Sequence, residues 1–393
     1  MANSFNSSLM PRILAGALRV LREEAVFAKM CTKDVSGAAG QLGQTVSIAV
    51  PSAQASYAIT PAATAPSLVD AAFVAKTVTI DQFRGSRFHL SATDSVNYNL
   101  ANSEIVPNQI AEAARKLARD VNQAIWGKYT KIAGWAGSGT GALFGTSING
   151  LAAADQRLNQ QLCPADNRVL ITTLAGRAAA LQLDDVKKNP QLAGDPSAFR
   201  RASLGMIYGM EVFHDRDISS HTAGTGFSAA YINGAGAVGD ATISIRAGTA
   251  GFVQIRAGDI FTTSGDTTIY YTTQSDLTLA ATATGTITLD RPLEATVALN
   301  DTITSPTNYT TGYNYIAGDL SGYGLVMRVP AADGSIEGAP TLGPSMAMTD
   351  DVTGIPLKLT YLPGYHTAQW ELSILYGVDI IDPRRLIRVG SSS

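Results

Sequence analysis

Charge is what this sequence has least of. Lys and Arg number 29 and Asp and Glu 32 among 393 residues, so 16% of the chain is charged against a usual share of about 25%. A surface this poor in charge lacks the repulsion that keeps like molecules apart, and the expectation is that much of it is covered by other chains. The balance is slightly acidic, a net charge of −3. That excludes a protein that lives by gripping nucleic acid, because displacing counterions from phosphates needs a surplus of Lys and Arg. A container for nucleic acid remains compatible with it.

Cysteine is nearly absent. Cys31 and Cys163 are too few for a disulfide framework and have no metal-ligand spacing, which points to a reducing compartment. Long apolar runs are missing as well, since no stretch approaches the roughly 18 residues needed to span a bilayer. Arg12, Arg19, Arg22, Glu23 and Glu24 interrupt the N-terminal apolar residues, unlike the layout of a signal peptide. Synthesis and use in the cytoplasm is the expectation.

Chemical motifs are scarce too. Gly137-Ser138-Gly139-Thr140-Gly141-Ala142 has the relaxed dinucleotide spacing, but it follows a helix where a strand is needed, so it reads as a loop. Gly145-Thr146-Ser147-Ile148-Asn149 fails the nucleophile elbow at its last position. His214, Asp215, Asp217 and His221 fall close together, but no H-E-x-x-H accompanies them, and a cluster this loose reads as solvated loop residues paired with a neighbour such as Arg216. No catalytic, cofactor-binding or metal-binding residue is assigned, and no cofactor is expected. Arg115, Lys116 and Arg119 form one basic group and Arg384, Arg385 and Arg388 another. Both read as solvated or subunit-bridging charge, with contact to packaged nucleic acid as the other reading.

What is present is architecture. The length suits two or three domains. Ile13, Leu14, Ala17, Leu18, Leu21 and Ala25 form one helical stripe; the polar face carries both signs, so this arm packs on protein rather than on a membrane. Gly37, Gly40 and Gly43 then break the pattern. Strands are expected at Thr45 to Val50, Phe73 to Phe83 and Ser86 to Leu90, the first two joined by a Pro/Ala/Thr-rich stretch as an extended hairpin. Pro107 to Tyr129 is the strongest helix, with Pro107 in its first turn, and spans roughly 35 Å at about 1.5 Å per residue. A helix at Leu151 to Leu162, a strand at Arg168 to Thr172, a helix at Leu174 to Leu183 and a strand at Met206 to Phe213 follow.

From about Gly224 to Pro306 the period changes to short strands separated by Gly-bearing turns, as in a small β-barrel or sandwich. About 80 residues make a thin core, so this part is expected to lean on its host. Tyr315 to Arg328 steps at helix spacing through Ile316, Leu320, Tyr323 and Met327, and strands at Gly354 to Tyr361 and Trp370 to Tyr376 follow. The last must find its partner far upstream, across the Thr/Ala/Gly-rich block. One domain with a second inserted into it is the predicted organisation.

Gly209-Met210-Glu211-Val212-Phe213 with Ile218-Ser219-Ser220-His221-Thr222 before the block, Tyr315 to Pro330 after it, and Leu375-Tyr376-Gly377-Val378 with Asp382-Pro383-Arg384-Arg385-Leu386 at the close occur in an order that resembles the major capsid (coat) proteins of tailed bacteriophages, in particular the podovirus-type with an inserted β domain. About 45 residues carry the likeness as sequence, and the insertion is richer in Thr, Ala and Gly than the family pattern. The resemblance implies an α+β chain of the Hong Kong-type capsid fold. Its parts would be an N-terminal arm (1–44), an extended hairpin loop with peripheral-domain strands (45–90), the spine helix and peripheral domain (91–145), an axial domain (146–223), an inserted β-barrel domain (224–306) and a return to both domains (307–393).

The implied function is a non-enzymatic virion subunit, assembled in the host cytoplasm, whose pentamers and hexamers form an icosahedral head around double-stranded DNA. Identical subunits are the implied partners, with scaffolding, portal and decoration proteins as further candidates, DNA contacted non-specifically and no membrane. A Lys–Asn cross-link, found in part of the wider family, would make Lys76 the candidate donor, but no acceptor constellation accompanies it. A tail-tube or fibre subunit and an α/β enzyme are the competing readings; the long helix counts against the first and the missing constellation against the second. Deleting about Ala53 to Ala65, the proline-bearing and charge-poor tip of the hairpin, is expected to leave a folded monomer that forms no shells, and intact shells in electron micrographs would contradict this.

Overall fold

The computed structural model describes residues 5–51, 73–91, 93, 105–137, 144, 149–183, 204–249, 251–306, 309, 311–330 and 345–392. The hairpin tip (52–72) and most of both glycine-bearing motifs (138–143 and 145–148) lie outside these residues. In chain order the elements begin with α1 (Phe5–Glu24), β1 (Thr32–Gly40), β2 (Thr45–Pro51), β3 (Phe73–Thr79), β4 (Gln82–Ser91) and α2 (Ile105–Gly127). β5 (Gly134–Gly137), α3 (Asn149–Gln160), β6 (Val169–Thr172), α4 (Leu174–Gln182), β7 (Met206–Ile207), β8 (Met210–His214) and β9 (Ser220–His221) follow. The β-rich stretch holds β10 (Ala230–Ile232), β11 (Thr242–Ala247), β12 (Val253–Ile255), β13 (Ile260–Thr263), β14 (Asp266–Thr272), β15 (Leu277–Leu279), β16 (Thr284–Thr288) and β17 (Ile303–Thr304). The chain closes with β18 (Gly312–Gly318), β19 (Tyr323–Pro330), β20 (Ser345–Thr349), β21 (Pro356–Gly364), β22 (Thr367–Ile380) and β23 (Leu386–Ser392).

Two compact units result, one of Met1–Ala25, Lys33–Ala118 and Gly324–Ile381, the other of Val26–Thr32, Arg119–Tyr323 and Asp382–Ser393. In the first, a sheet runs β1-β19-β22-β21-β20, with β4 also on β22. β22 pairs antiparallel with β4 from Thr367↔Ser91 to Tyr376↔Gln82, so the late strand does find its partner across the β-rich block. β2 and β3 pair antiparallel from Thr45↔Thr79 to Pro51↔Phe73, as expected of the hairpin's two strands. The expected strand Phe73 to Phe83 is interrupted at Ile80, whose side chain is fully buried and whose backbone bonds with Gly43 and Gln44. Val78, Ile80, Val326 and Leu375 form the core there. Gly377 is required beside it, because a Cβ at that position would collide with the Thr79 carbonyl.

β1 was not expected, because glycines and alanines fill it. The same small residues suit it to its place: a Cβ on Gly40 would meet the Arg328 side chain, which itself pairs with Asp34 at 3.0 Å. The α1 stripe behaves as predicted, with Leu14, Ala17, Leu18, Leu21 and Ala25 buried where the helix packs on β20 and β21. At its end Arg22 reaches Asp350.

The second unit contains the sheet β5-β23-β18-β6-β8-β7, with β9 also on β18. β23 lies antiparallel to β18 and parallel to β5. α3 packs on β5 and β23, and Leu151, Ala154 and Leu158 join Leu170, Tyr315, Ile387 and Val389 in the core. Two expectations are corrected. Met206 to Phe213 is two antiparallel strands, because Tyr208 (φ 49°) and Gly209 (φ 72°) both have the positive φ of a two-residue hairpin turn. Tyr315 to Arg328 holds no α-helix; β18 and β19 flank a single 3-10 turn, Leu320–Gly322. Strands covered on both faces carry near-continuous apolar runs, which mimic helical spacing. The turn between them is set by Gly318 at φ 129° and by Asp319, which accepts from Ser321 N at 2.9 Å.

Within the same unit, residues 225–304 build three small antiparallel sheets, β10-β11-β16, β12-β15 and β14-β13-β17. They share a core of Phe227, Ile245, Val253, Phe261, Tyr271 and Ile303 among others.

Burial raises the pKa of Asp350, but hydrogen bonds from Thr353 Oγ1 (2.6 Å) and N (2.7 Å) and from Arg22 outweigh it and hold the carboxyl below its ordinary range. A depressed carboxyl stabilises fully above its unfolded value of about 4 and loses that contribution as pH falls through the folded one. Urea midpoints measured from pH 7 downward are therefore expected to fall at acid pH, and D350N is expected to flatten part of that slope while lowering stability at pH 7.

Candidate functional site

α2 starts two residues before the predicted Pro107 and continues past Gly127 as a 3-10 turn, Lys128–Lys131. From Arg119 onward its polar residues recur every three or four positions, so they share one edge of the helix. That edge reads the segment 215–221 residue by residue. Arg119 Nη2 and Nε donate to Asp217 Oδ1 at 2.8 and 3.1 Å, and Gln123 Nε2 donates to the same oxygen at 3.3 Å. Asn122 Nδ2 donates to Asp215 Oδ2 at 3.2 Å and Trp126 Nε1 to Ser219 Oγ at 3.1 Å. Tyr129 Oη lies 2.9 Å from His221 Nδ1.

The cluster His214, Asp215, Asp217 and His221 is thus spread over separate partners. Asp215 Oδ1 also accepts from Asp217 N at 2.6 Å, while burial raises its pKa. His214 is exposed beside Arg177, and partial burial and that guanidinium lower its pKa. Among the described residues no group of His, Cys, Asp and Glu is arranged to hold a metal ion.

The residue that gathers this region is one that the sequence did not single out. Asp259, fully buried, accepts at Oδ1 from Tyr309 Oη at 3.0 Å and lies 3.0 Å from His221 Nε2. Its Oδ2 accepts from Gly224 N at 3.0 Å and from Arg256 N at 2.7 Å. His221 and Gly224 stand where the chain leaves the sheet for the β-rich region, and Tyr309 stands where it comes back. Gly258, at φ 93° and against Thr130, was the available signal, a Gly-Asp turn of a kind common to many loops. Trp135, Ile260 and Tyr309 close an apolar cluster beside it, and burial pushes the Tyr309 hydroxyl far above its usual pKa.

The basic groups divide, with Lys116 and Arg384 exposed, Arg115, Arg119 and Arg385 paired within the chain and Arg388 fully buried. Arg119 is tied to Asp217, and Arg115 pairs with Glu112; Lys116 is exposed. Arg385 bridges Asp319 at 2.8 Å and Asp382 at 3.3 Å. Arg384 stays exposed, 3.9 Å from Glu294. Arg388 is fully buried, because β23 is an interior strand with both faces covered. Its Nε donates to Ile132 O at 2.8 Å, its guanidinium stands 5.7 Å from the Tyr129 ring centre, and burial lowers its pKa. Lys76 is exposed on β3.

No protein-family profile and no curated protein sequence matches the chain. Solved structures do. A chain of the capsid of cyanophage P-SCSP1u is similar with a TM-score of 0.50 and 9% identity, over 94% of this chain and 88% of that one. A chain from Mycobacterium phage Che8 has a TM-score of 0.49, 12% identity and coverage of 93% and 91%. One from the mature capsid of bacteriophage PhiM1 has 0.48, 10% and coverage of 93% and 86%. At such identity the cyanophage likeness is one of fold: this chain has the fold of a phage capsid chain.

Replacing His221 by Leu removes one donor from a buried carboxylate, a loss of about 1.5–3 kcal/mol. The expected outcome is a lower urea midpoint in the full-length H221L variant with an unchanged far-ultraviolet dichroism spectrum before the transition.

Proposed function

We propose that this protein is the major capsid protein of a tailed phage, a tile whose pentamers and hexamers close an icosahedral head around double-stranded DNA. The observation that carries the reading is the fold shared with a cyanophage capsid chain over nearly the whole of both. The scarcity of charge, 16% of residues, agrees with surfaces meant to be covered, since obligate interfaces spread over several neighbours bury roughly 2,000–5,000 Å².

The parts take the roles of the Hong Kong-type architecture. Residues 1–44 are the arm, 45–90 the extended hairpin with its adjoining strands, 91–145 the spine and peripheral domain, 146–223 the axial domain, 224–306 the inserted β-barrel and 307–393 the return. The antiparallel β2–β3 ribbon, the unbroken α2 and the separate core of residues 227–303 support this division. The role is structural, without catalysis or cofactor, and the place of action is the virion after assembly in the host cytoplasm. Scaffolding, portal and decoration proteins are the further partners in this reading, and the packaged DNA is met without sequence readout.

Expression alone and with a candidate scaffold is expected to yield closed particles of uniform size in negative-stain micrographs and a fast boundary in sedimentation velocity. A species that remains single-copy, or a small discrete oligomer at every concentration, would overturn the reading.

A further inference from the structure

Within the unit that contains Arg119–Tyr323 and Asp382–Ser393, two clefts carry opposite charge. The first, of about 530 Å³, is lined by Arg157, Arg291 and Arg384 together with Glu294 and Leu162. Two of these guanidinium groups share the one carboxylate: Arg291 Nη1 lies 3.2 Å and Arg384 Nη2 3.9 Å from Glu294 Oε1. Arg157 is held in place by the Thr268 carbonyl at 3.3 Å and by the face of Tyr270, 4.3 Å from the ring centre. Among the described residues the buried Nε atoms of Arg157 and Arg291 have no hydrogen-bond partner, and burial and Arg291 both act to lower the pKa of Arg157. On the rim Leu162 is 88% exposed.

The second cleft, of about 630 Å³, is lined by Asp166, Glu211, Asp319 and Met206 among others. Here the positive charge is already committed, Arg168 to Asp155 at 2.8 Å and Arg385 to Asp319 at 2.8 Å. Asp166 and Glu211 are exposed and form no ion pair among the described residues. Beside them Met206 is 65% and Tyr208 46% exposed.

The two clefts are distinct but neighbouring patches of one body: Leu162 of the first and Asp166 of the second are four residues apart, and Arg385, next to Arg384 of the first, bonds Asp319 of the second. The basic one takes Arg157 from α3 and Leu162 from just beyond it, and α3 packs on β5 and β23 at one edge. The acidic one is lined by the turn after α3 (165–167), by residues of β6, β7 and β8 and by the turn after β18 (319–321). A basic, apolar-rimmed cleft and an acidic, apolar-rimmed cleft that are different patches of one body are the two halves of a head-to-tail contact, the kind that closes into rings when the rotation permits. Arg with large apolar side chains is also the composition enriched at interface centres.

We infer that the patch formed by Arg157, Arg291, Arg384 and Leu162 in one copy of this chain receives Glu211 and Asp166, with Met206 and Tyr208, of the next copy. A nucleic-acid backbone would suit the first patch only and leave the second without a partner, whereas a second copy uses both. The inference rests on the self-assembly proposed above and specifies one of its contacts.

Charge reversal in the full-length protein tests it. R384E and E211R each alter an exposed side chain, so thermal midpoints and dichroism spectra are expected to match the parent. Each variant alone faces like charges across the contact, and its assembled fraction in sedimentation is expected to fall about tenfold or more at the same concentration. An equimolar mixture is expected to recover assembly in part, because where the two variants alternate the acid placed at position 384 of one chain faces the base placed at position 211 of the other and the reciprocal contact is the native one, while a five-membered ring keeps one unmatched contact. The double variant R384E/E211R is expected to recover it within a single chain. Singles that assemble like the parent, an effect of R384E without an effect of E211R, or defects that neither mixing nor the double variant repairs would each overturn the contact while leaving shell formation by the parent intact. A parent that never assembles would overturn the self-assembly reading and this contact with it.

Discussion

A single buried carboxylate holds the larger unit together at the point where its connectivity is most demanding. A charge taken out of water must be repaid by hydrogen bonds, and Asp259 is placed to engage three partners from the two crossings between the sheet and the β-rich region, His221, Gly224 and Tyr309, and a fourth, Arg256 N, from its own turn. Because the charge cannot tolerate the loss of its donors, the departing strand at His221, the turn at Gly258 and the returning segment at Tyr309 are locked to one another. A stretch of about 80 residues with a thin core of its own is thereby anchored at both ends, and Trp135, Ile260 and Tyr309 seal the anchor from water.

From that centre the order spreads along α2. Tyr129 touches His221, and the helix then registers Trp126, Asn122, Gln123 and Arg119 against residues 215–219 in turn. These bonds place side chains that resemble a loose metal cluster in the sequence into a structural seam. The same economy appears in the other unit, where Asp350 joins Arg22 of the arm helix to Thr353, and Arg328 joins β19 to Asp34 on β1. With so few charges in the chain, many of those that exist are used inside each unit. Glu211 and Arg384 are among the charges left outward, and they are the ones that the contact proposed above would use.

Elements whose burial is one-sided were legible in the residues. The α1 stripe, the apolar positions of α2 and the short strands of the β-rich region follow from periodicity, because one face of each meets a core and the other does not. Where both faces are covered, the pattern loses its period, which is why Tyr315 to Arg328 imitates a helix and Arg388 imitates a surface charge. β1 escaped for the opposite reason: its glycines and alanines carry almost no apolar signal, yet the missing side chain of Gly40 is what admits the Arg328 side chain.

The sequence by itself determined the inventory: a charge-poor chain, an amphipathic N-terminal helix, a second long helix, and a run of short strands interrupting a mixed host. Those are local properties, set by side-chain size, polarity and spacing along the chain. Only the tertiary structure decided that β22 would pair with β4, that Asp259 would be the residue to gather both crossings, and which arginines would be buried, clamped or left outward. The deciding contacts, such as β22 on β4, His221 and Tyr309 on Asp259, and Ile132 on Arg388, join residues far apart in the chain, and nothing local distinguishes Asp259 from any other Asp in a Gly-Asp turn until the donors that surround it are in place.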